Sequence, residues 1–268
     1  SLSPLLHNTA FTEMGLNWVS VGFPVAAGQA EAALAGMRAL RIVGLSVTMP
    51  HKDAVARLVD RTTPVATRLG AVNCVSLTGD ELVGSNTDGA GFVAALRHGD
   101  GFDPDGTKCL VIGAGGAARA VVLALAEAGA AEVIVVNRTE SRAVVAAALA
   151  GPVGRVGRPE EAATADLVVN ATPTGMERTQ ADGVGTGGDG EPVPLDIAFL
   201  AAGQVVVDLV YHPASTSWLQ AARDRGAVVH NGLGMLVHQA AVQLRSWTGE
   251  EPPVAAMWQA ATAATSTP

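Results

Sequence analysis

The sequence is short of charge, of lysine and of cysteine, and each scarcity closes off a class of function. Charged residues make up 16% of the 268 positions and aromatic residues 4%. Lysine occurs twice, as Lys52 and Lys108, and the formal net charge is −8. A net acidic chain with no run of basic residues is a poor partner for nucleic acid or an anionic membrane surface. The two cysteines, Cys74 and Cys109, form no C-x-x-C pair, and neither they nor the six histidines stand at metal-ligand spacing. No metal centre and no disulfide framework are therefore expected, and a reducing, cytoplasmic setting fits. No eighteen consecutive residues are apolar, so no transmembrane helix is expected, and no signal peptide is visible.

What the chain does have is small apolar residues in quantity. It is 49% hydrophobic, rich in alanine, valine and glycine, and long enough for two domains. Apolar periodicity predicts helices over 4–16, 28–40, 53–59, 116–128, 140–150, 216–225 and 235–247. Short β-rich runs predict strands over 18–23, 42–49, 71–76, 82–84, 109–112, 132–136, 167–171, 205–209 and 228–229. The alternation means an α/β fold with a mostly parallel sheet. The turn-rich stretch 99–107 (GDGFDPDGT) divides the chain, and the residues 177–191, rich in glycine and polar groups, read as a flexible surface loop. The last dozen residues are expected to fray.

After the break, Leu110-Val111-Ile112 runs into Gly113-Ala114-Gly115-Gly116-Ala117-Ala118, a G-x-G-x-x-A fingerprint between a strand and a helix. Gly113 permits the tight turn, Gly115 lets the backbone approach a pyrophosphate, and Ala118 keeps helix and sheet close. The helix start, with Gly116 and Ala117, offers free N–H groups and a partial positive charge to phosphate. This predicts a Rossmann-type, doubly wound nucleotide-binding domain. At the end of the next strand, where NAD-binding sites usually carry Asp or Glu, the chain reads Asn137-Arg138-Thr139 with Arg142 one turn on. Guanidinium groups suit a ribose 2′-phosphate, so NADP is favoured over NAD. Thr172 lies in the loop after the third strand of this domain. That loop either runs along the cofactor or is an ordinary Pro-Gly turn.

Four polar segments mark the first half: Ser1-Leu2-Ser3-Pro4, Val47-Thr48-Met49-Pro50-His51-Lys52, Gly70-Ala71-Val72-Asn73 and Asn86-Thr87-Asp88-Gly89. Near the end, Gly232-Leu233-Gly234-Met235-Leu236 precedes His238-Gln239-Ala240. In this order, and with the NADP signature, they resemble the shikimate dehydrogenase family from Ser1 to about Gly249. The resemblance implies reversible NADPH-dependent reduction of 3-dehydroshikimate to shikimate, a step of aromatic amino acid (chorismate) biosynthesis. It implies Lys52 as the catalytic lysine with Asp88 as its partner. Ser1, Ser3, Thr48, Asn73 and Gln239 then correspond to substrate contacts, as does Tyr211, and Gly232 to a cofactor contact. It also implies the domain division: a substrate domain of residues 1–98 completed by the C-terminal segment 234–268, with the NADP domain, 99–233, inserted between. The family usually carries a strand and a glycine turn ahead of the serine motif. Ser46 and Cys74 stand where its members commonly have Asn and Thr.

The chemistry is coherent on its own terms. Hydride addition to a ketone builds negative charge on oxygen, and a donor must stabilise that charge and deliver a proton. Lys52 can do both, and Asp88 can hold the ammonium in place. A polyhydroxylated ring needs hydroxyl and amide partners, which Ser, Thr, Asn and Gln supply. Each residue has a plainer role available: Asp88 as a helix cap, Lys52 as a solvated side chain, Asn73 in a turn, Gln239 at a helix contact, Tyr211 in the core. The competing functions are a quinate or quinate/shikimate dehydrogenase of the same family and a non-catalytic NADP-binding sensor. The expected partner is a small molecule, shikimate or 3-dehydroshikimate, and the expected state is a monomer or homodimer.

Overall fold

The computed structural model describes residues 2–99, 101–175, 193 and 195–265, so Ser1 and the loop expected at 177–191 lie outside the described residues. The chain forms two compact units, Ser1–Gly91 with Leu236–Ala261, and Phe92–Met235 with Thr262–Pro268. In chain order the first contains α1 (Ser3–Glu13), α2 (Ala30–Ala39), β1 (Gly44–Ser46), α3 (Lys52–Leu58), β2 (Arg61–Thr62), α4 (Pro64–Leu69), β3 (Cys74–Thr78) and β4 (Glu81–Ser85), and leads into α5 (Asp88–His98). Local chemistry sets several of these limits. At α4, Thr63 accepts a hydrogen bond from the Ala66 amide, Pro64 opens the helix, and Gly70, at φ +61°, ends it.

The sheet of this unit runs β1-β3-β4-β2, with β1–β3 and β3–β4 antiparallel and β2–β4 parallel. It is mixed where the periodicity suggested mostly parallel, because the short turn between β3 and β4 makes a hairpin, which only antiparallel strands can use. Leu34, Met37, Val55, Val72, Val75 and Leu82 form its core. Each such side chain contributes about 1.5–3 kcal/mol when fully buried.

The strand expected over Trp18–Phe23 does not form. Strand geometry needs a neighbour for its backbone groups, and here a side chain takes that part. Asn8 Nδ2 donates to the Ser20 carbonyl (2.9 Å), and the Ser20 amide donates to Asn8 Oδ1 (2.7 Å). The segment stays irregular, with Val19 and Phe23 exposed. The C-terminus departs from expectation in the other direction. Val254–Thr265 is a helix, α10, with Met257 and Ala261 fully buried. Burying those two positions offsets the ordering entropy that the sequence pattern suggested would win.

The second unit holds β5 (Lys108–Ile112), α6 (Gly116–Glu127), β6 (Glu132–Val136), α7 (Glu140–Ala147), β7 (Gly154–Val156), β8 (Leu167–Asn170), β9 (Val205–Asp208), α8 (Ser217–Asp224) and β10 (Val228–Asn231), and leads into α9 (Leu233–Thr248). Its six strands are all parallel in the order β10-β9-β8-β5-β6-β7. This is the doubly wound arrangement, and its order reverses between β5 and β8, where such sheets open a crevice for ligands at their carboxyl ends. The central strands are buried on both faces, which their continuous Val, Leu and Ile runs already implied.

His7, on α1, is buried at 2% exposure and meets the Trp247 ring edge-on at 5.1 Å. Burial lowers its pKa from 6.5 to about 4, opposed in part by the Gln243 side chain. Between those values the unfolded chain binds a proton here that the folded chain refuses. Stability is therefore fully present above pH 6.5 and falls as the pH drops toward 4, by at most about 3 kcal/mol from this group. Denaturant titrations from pH 7 to pH 4.5 should show a shallower loss in His7→Gln than in the wild type. Equal slopes would mean that His7 titrates normally in the folded chain.

Candidate active site

The first unit brings a lysine, a carboxylate and a set of amides together around the start of α5. Lys52 is the first residue of α3 and Asp88 the first of α5. Lys52 Nζ donates to Asp88 Oδ2 at 2.7 Å, with the lysine side chain 24% exposed and the aspartate side chain 9%. The other carboxylate oxygen accepts from Asn73 Nδ2, also at 2.7 Å. Asp88 is thus no mere helix cap, since its side chain serves the lysine and the amide. Lys108 sits differently, donating to Thr164 (2.8 Å) and pairing with Glu132 (3.5 Å) at the foot of the second unit's sheet.

Asn73 is buried and every polar atom of it is used. Its Nδ2 also reaches Thr87 Oγ1 (3.0 Å) and, at greater length, Gln239 Oε1 (3.4 Å). Its Oδ1 accepts from the Thr87 amide (2.8 Å), and its backbone carbonyl from the Val47 amide (2.7 Å). Asn86 works alongside, donating to the Ala71 carbonyl and accepting from the Asp88 amide. The loop before β3 and the first turn of α5 are therefore stitched together by two asparagines. On the lysine side, the Val72 amide donates to the Lys52 carbonyl (3.0 Å), and His51 Nε2 lies 2.9 Å from the Val25 carbonyl.

Gln239 arrives from α9, far along the chain. Its Oε1 accepts from Gln243 Nε2 (3.0 Å), and its own Nε2 donates to the Leu236 carbonyl (3.0 Å). Gly91 makes the approach possible, because a Cβ there would lie 2.5 Å from the Gln239 backbone nitrogen. Only a residue without a side chain lets α5 and this part of α9 touch backbone to backbone.

In the second unit, the Gly113 amide donates to the Val136 carbonyl (2.8 Å), and the glycine adopts φ +115°. A Cβ at Gly113 would crowd the Ala171 carbonyl at 3.0 Å, whereas Gly115 and Gly116 face open space. Both are exposed, and Gly115 caps α6 with no side-chain hydrogen bond. A helix start with open glycines and uncapped N–H groups is the arrangement a pyrophosphate requires. Asn137 Nδ2 donates to the Thr139 carbonyl (2.9 Å), shaping the turn that presents Arg138 and Arg142. Both arginines are exposed, and neither makes an ion pair among the described residues. Two uncommitted guanidinium groups fit the 2′-phosphate of NADP.

Asp208 organises the neighbouring loops. Fully buried, it accepts from Asn170 Nδ2 (3.0 Å), the Val210 amide (3.1 Å) and Thr216 Oγ1 (2.8 Å). Burial pushes its carboxyl up from the usual range, opposed by those three donors. Asn170 in turn accepts from the Thr172 amide (3.1 Å) and hydroxyl (2.7 Å), so Thr172 stands in a locally held turn at the carboxyl end of β8. Tyr211 is half-buried in the segment between β9 and α8. Gly232 packs so tightly that a Cβ would collide with the Leu209 carbonyl, which by itself accounts for a glycine at that position.

The structure thus joins Lys52, Asp88, Asn73 and Gln239 into one hydrogen-bonded group. Ser3 opens α1 and Thr48 is exposed in the turn before α3, and the bonds just described do not include them. Ser1 lies outside the described residues. Sequence reading missed Thr87 and Gln243. Both were detectable: Thr87 sits between two quoted polar residues, and Gln243 is one turn beyond Gln239 on the same helix face.

Comparison with known proteins gives the family. Residues 1–75 match the shikimate dehydrogenase substrate binding domain, residues 97–184 the shikimate/quinate 5-dehydrogenase family, and residues 232–262 the shikimate 5′-dehydrogenase C-terminal domain. A shikimate dehydrogenase (NADP(+)) of Moorella thermoacetica is 45% identical over 96% of this chain and 87% of its own length. The shikimate 5-dehydrogenase of Thermus thermophilus, solved with NADP(H) and shikimate, superposes with a TM-score of 0.87 at 38% identity, covering 98% of this chain and 95% of that one. A quinate dehydrogenase of Corynebacterium glutamicum, solved with NAD, gives 0.84 at 30% identity, over 98% and 94%.

Gly91→Ala is expected to cost about 1–3 kcal/mol of stability, despite alanine's better helix propensity, because the added methyl must push Gln239 away. Thermal unfolding measures this. An unchanged midpoint would show that α5 and α9 can separate freely at that point.

Proposed function

Since the chain belongs to the shikimate dehydrogenase family, we infer that it catalyses the reversible NADPH-dependent reduction of 3-dehydroshikimate to shikimate, in aromatic amino acid biosynthesis. The observation that carries the reading is the Lys52–Asp88 ion pair held by Asn73. Bound NADPH supplies the hydride. The carbonyl oxygen that becomes a hydroxyl needs a donor and then a proton, and Lys52 Nζ provides both. One N–H bond breaks as the O–H bond forms. Lys52, left neutral, regains its proton from water, which its partial exposure permits. In the oxidative direction the neutral amine takes the hydroxyl proton. Asp88 keeps the amine in place throughout, and its second oxygen is tied down by Asn73.

In this reading residues 1–98 with 234–268 form the substrate domain and 99–233 the NADP domain, close to the two compact units Ser1–Gly91 with Leu236–Ala261 and Phe92–Met235 with Thr262–Pro268. Ser1, Ser3, Thr48, Asn73, Gln239 and Tyr211 contact the ring hydroxyls and carboxylate. Gly113 to Ala117 cradle the pyrophosphate, Asn137 to Thr139 with Arg142 hold the adenosine 2′-phosphate, and Thr172 and Gly232 border the cofactor. A cytoplasmic enzyme, monomeric or homodimeric, accompanies the reading. Its support is that both cysteines are buried and free, with Cys109 pushed up to about 11 by burial and so unreactive.

Initial rates with shikimate or quinate, each with NADP or NAD, test the assignment. Preference for shikimate and NADP is the expected result. Turnover of quinate instead would move the chain to the quinate branch, and NADP binding without turnover would make it a sensor. Lys52→Ala should lower kcat by roughly 10²- to 10⁴-fold while NADP still binds. Undiminished turnover would remove the lysine from the mechanism. Replacing Arg138 and Arg142 together by alanine should weaken NADP binding roughly 10- to 100-fold and leave NAD almost untouched. Equal losses for both cofactors would dissociate the arginines from the 2′-phosphate.

A further inference from the structure

Asp208 is the most deeply buried carboxylate among the described residues, and the mechanism above does not use it. No lysine or arginine pairs with it among those residues. Taking a carboxylate out of water without a counter-ion is costly unless fixed donors replace the water. Three neutral donors do so here, and each belongs to a different segment. Asn170 ends β8 and stands directly opposite Asp208 in the β8–β9 ladder, with its Nδ2 3.0 Å from Asp208 Oδ1. The Val210 amide follows β9 and donates to the same oxygen at 3.1 Å. Thr216 donates to Oδ2 at 2.8 Å while its own oxygen caps α8 by accepting from the Leu219 amide. Asn170 carries the restraint one step further, because its Oδ1 accepts from both the amide and the hydroxyl of Thr172. Asn170 is as buried as Asp208, so bulk solvent does not compete for these bonds.

The order of the sheet says what these loops face. β5, whose turn carries Gly113 to Ala117, has β6 on one side and β8 then β9 on the other. All six strands are parallel, so the loops that follow them open on one edge of the sheet. Arg138 and Arg142 come after β6. A dinucleotide with its pyrophosphate at the turn after β5 and its 2′-phosphate beyond β6 must extend its other half past β8 and β9, since neighbouring strands are only about 4.8 Å apart. The Asp208 junction lies under that half. The arginines stand on the opposite side of β5 and share none of its bonds.

We propose that Asp208 is a positioning residue for the nicotinamide half of NADP, holding in one buried junction the loops after β8 and β9 on which that half rests. This rests on the assignment of the glycine turn to the pyrophosphate and of Arg138 and Arg142 to the 2′-phosphate. It deepens that assignment by dividing the cofactor site into two ends with separate supports. The adenosine end depends on side chains exposed to solvent, and the nicotinamide end on a carboxylate that touches neither cofactor nor substrate. Hydrogen bonds and not the charge itself make the junction. Asparagine can therefore replace Asp208: its oxygen keeps Asn170 and Val210, and its Nδ2 donates to the Thr216 hydroxyl.

Equilibrium binding of NADP and of adenosine 2′,5′-bisphosphate, which carries only the adenosine end, separates the two halves. In folded Asp208→Ala the Kd for NADP should rise roughly 10-fold and that for the bisphosphate by less than about 2-fold. Asp208→Asn should recover most of the NADP affinity. Amide hydrogen exchange of the cofactor-free protein gives a second readout. Exchange at Thr172, which bonds Asn170 and not Asp208, should quicken in Asp208→Ala. Should that variant not fold, Asn170→Ala cuts the link to Thr172, leaves Asp208 its other two donors, and should show the same split between the two ligands. Unchanged NADP affinity, equal losses for both ligands, an asparagine variant as poor as the alanine one, or unaltered exchange at Thr172 would each overturn the proposal. Wild-type protein that binds neither ligand would instead refute the cofactor assignment itself, and the proposal with it.

Discussion

A carboxylate taken out of water keeps its charge only where fixed dipoles and a counter-ion replace the water it has lost. At Asp88 that requirement falls on two groups, the Lys52 ammonium and the Asn73 amide, and much of the first unit is arranged to hold them. The start of α3 is fixed because Val72 bonds the Lys52 carbonyl. The start of α5 is fixed because Asn86 and Asn73 hold its first amides. The distant helix α9 is drawn in because Asn73 still has bonds to make, and Gln239 and Gln243 complete them. A buried amide that serves three chain segments at once leaves little freedom for any of them. The lysine is held by one bond and remains part-exposed, which suits the proton exchange proposed for it.

The second unit solves the opposite problem. In the proposed reading it must attract an anion, and its glycine turn offers backbone for that. The glycine turn, the open helix start of α6 and the absence of a capping side chain leave N–H groups unspent. Arg138 and Arg142 stand exposed just beyond the end of β6. The close contact of Gly113 with the Ala171 carbonyl ties this turn to the next loop, and the Asp208–Asn170–Thr172 series ties that loop to the one after it. The first residues after β5, β8 and β9 are therefore each held by a different local contact.

Much of this was legible in the residues. The helices over 4–16, 28–40, 116–128, 140–150, 216–225 and 235–247 follow from apolar spacing, and the buried parallel strands from runs such as EVIVV. The glycine fingerprint lies where a strand gives way to a helix. What stayed hidden depends on partners far away in sequence. Whether residues 18–23 become a strand is decided by a neighbour and not by their own β propensity, and an asparagine twelve positions earlier claims Ser20 first. The order of α10 rests on burial of Met257 and Ala261, which an alanine-rich pattern hardly distinguishes from fraying. His7 carries no motif at all, and its burial is set by Phe11 beside it on α1 and by Trp247 from the far end of the chain.

The division of the first unit between two ends of the chain sets a timetable for biosynthesis. Gln239 meets Asn73 across 166 positions, and the whole of the second unit's sheet is encoded between them. A ribosome adding about 5–20 residues per second needs roughly 7 to 30 s to travel from Gly91 to Leu236. Throughout that interval the nascent chain carries Asn73, Asp88 and the face of β1 and β3 that Trp247 will later cover, while the six-stranded sheet of the second unit is being made. In the proposed reading the site is thus finished last, and a message broken within the inserted unit yields the four-stranded sheet of the first unit without the helix α9 that supplies Gln239.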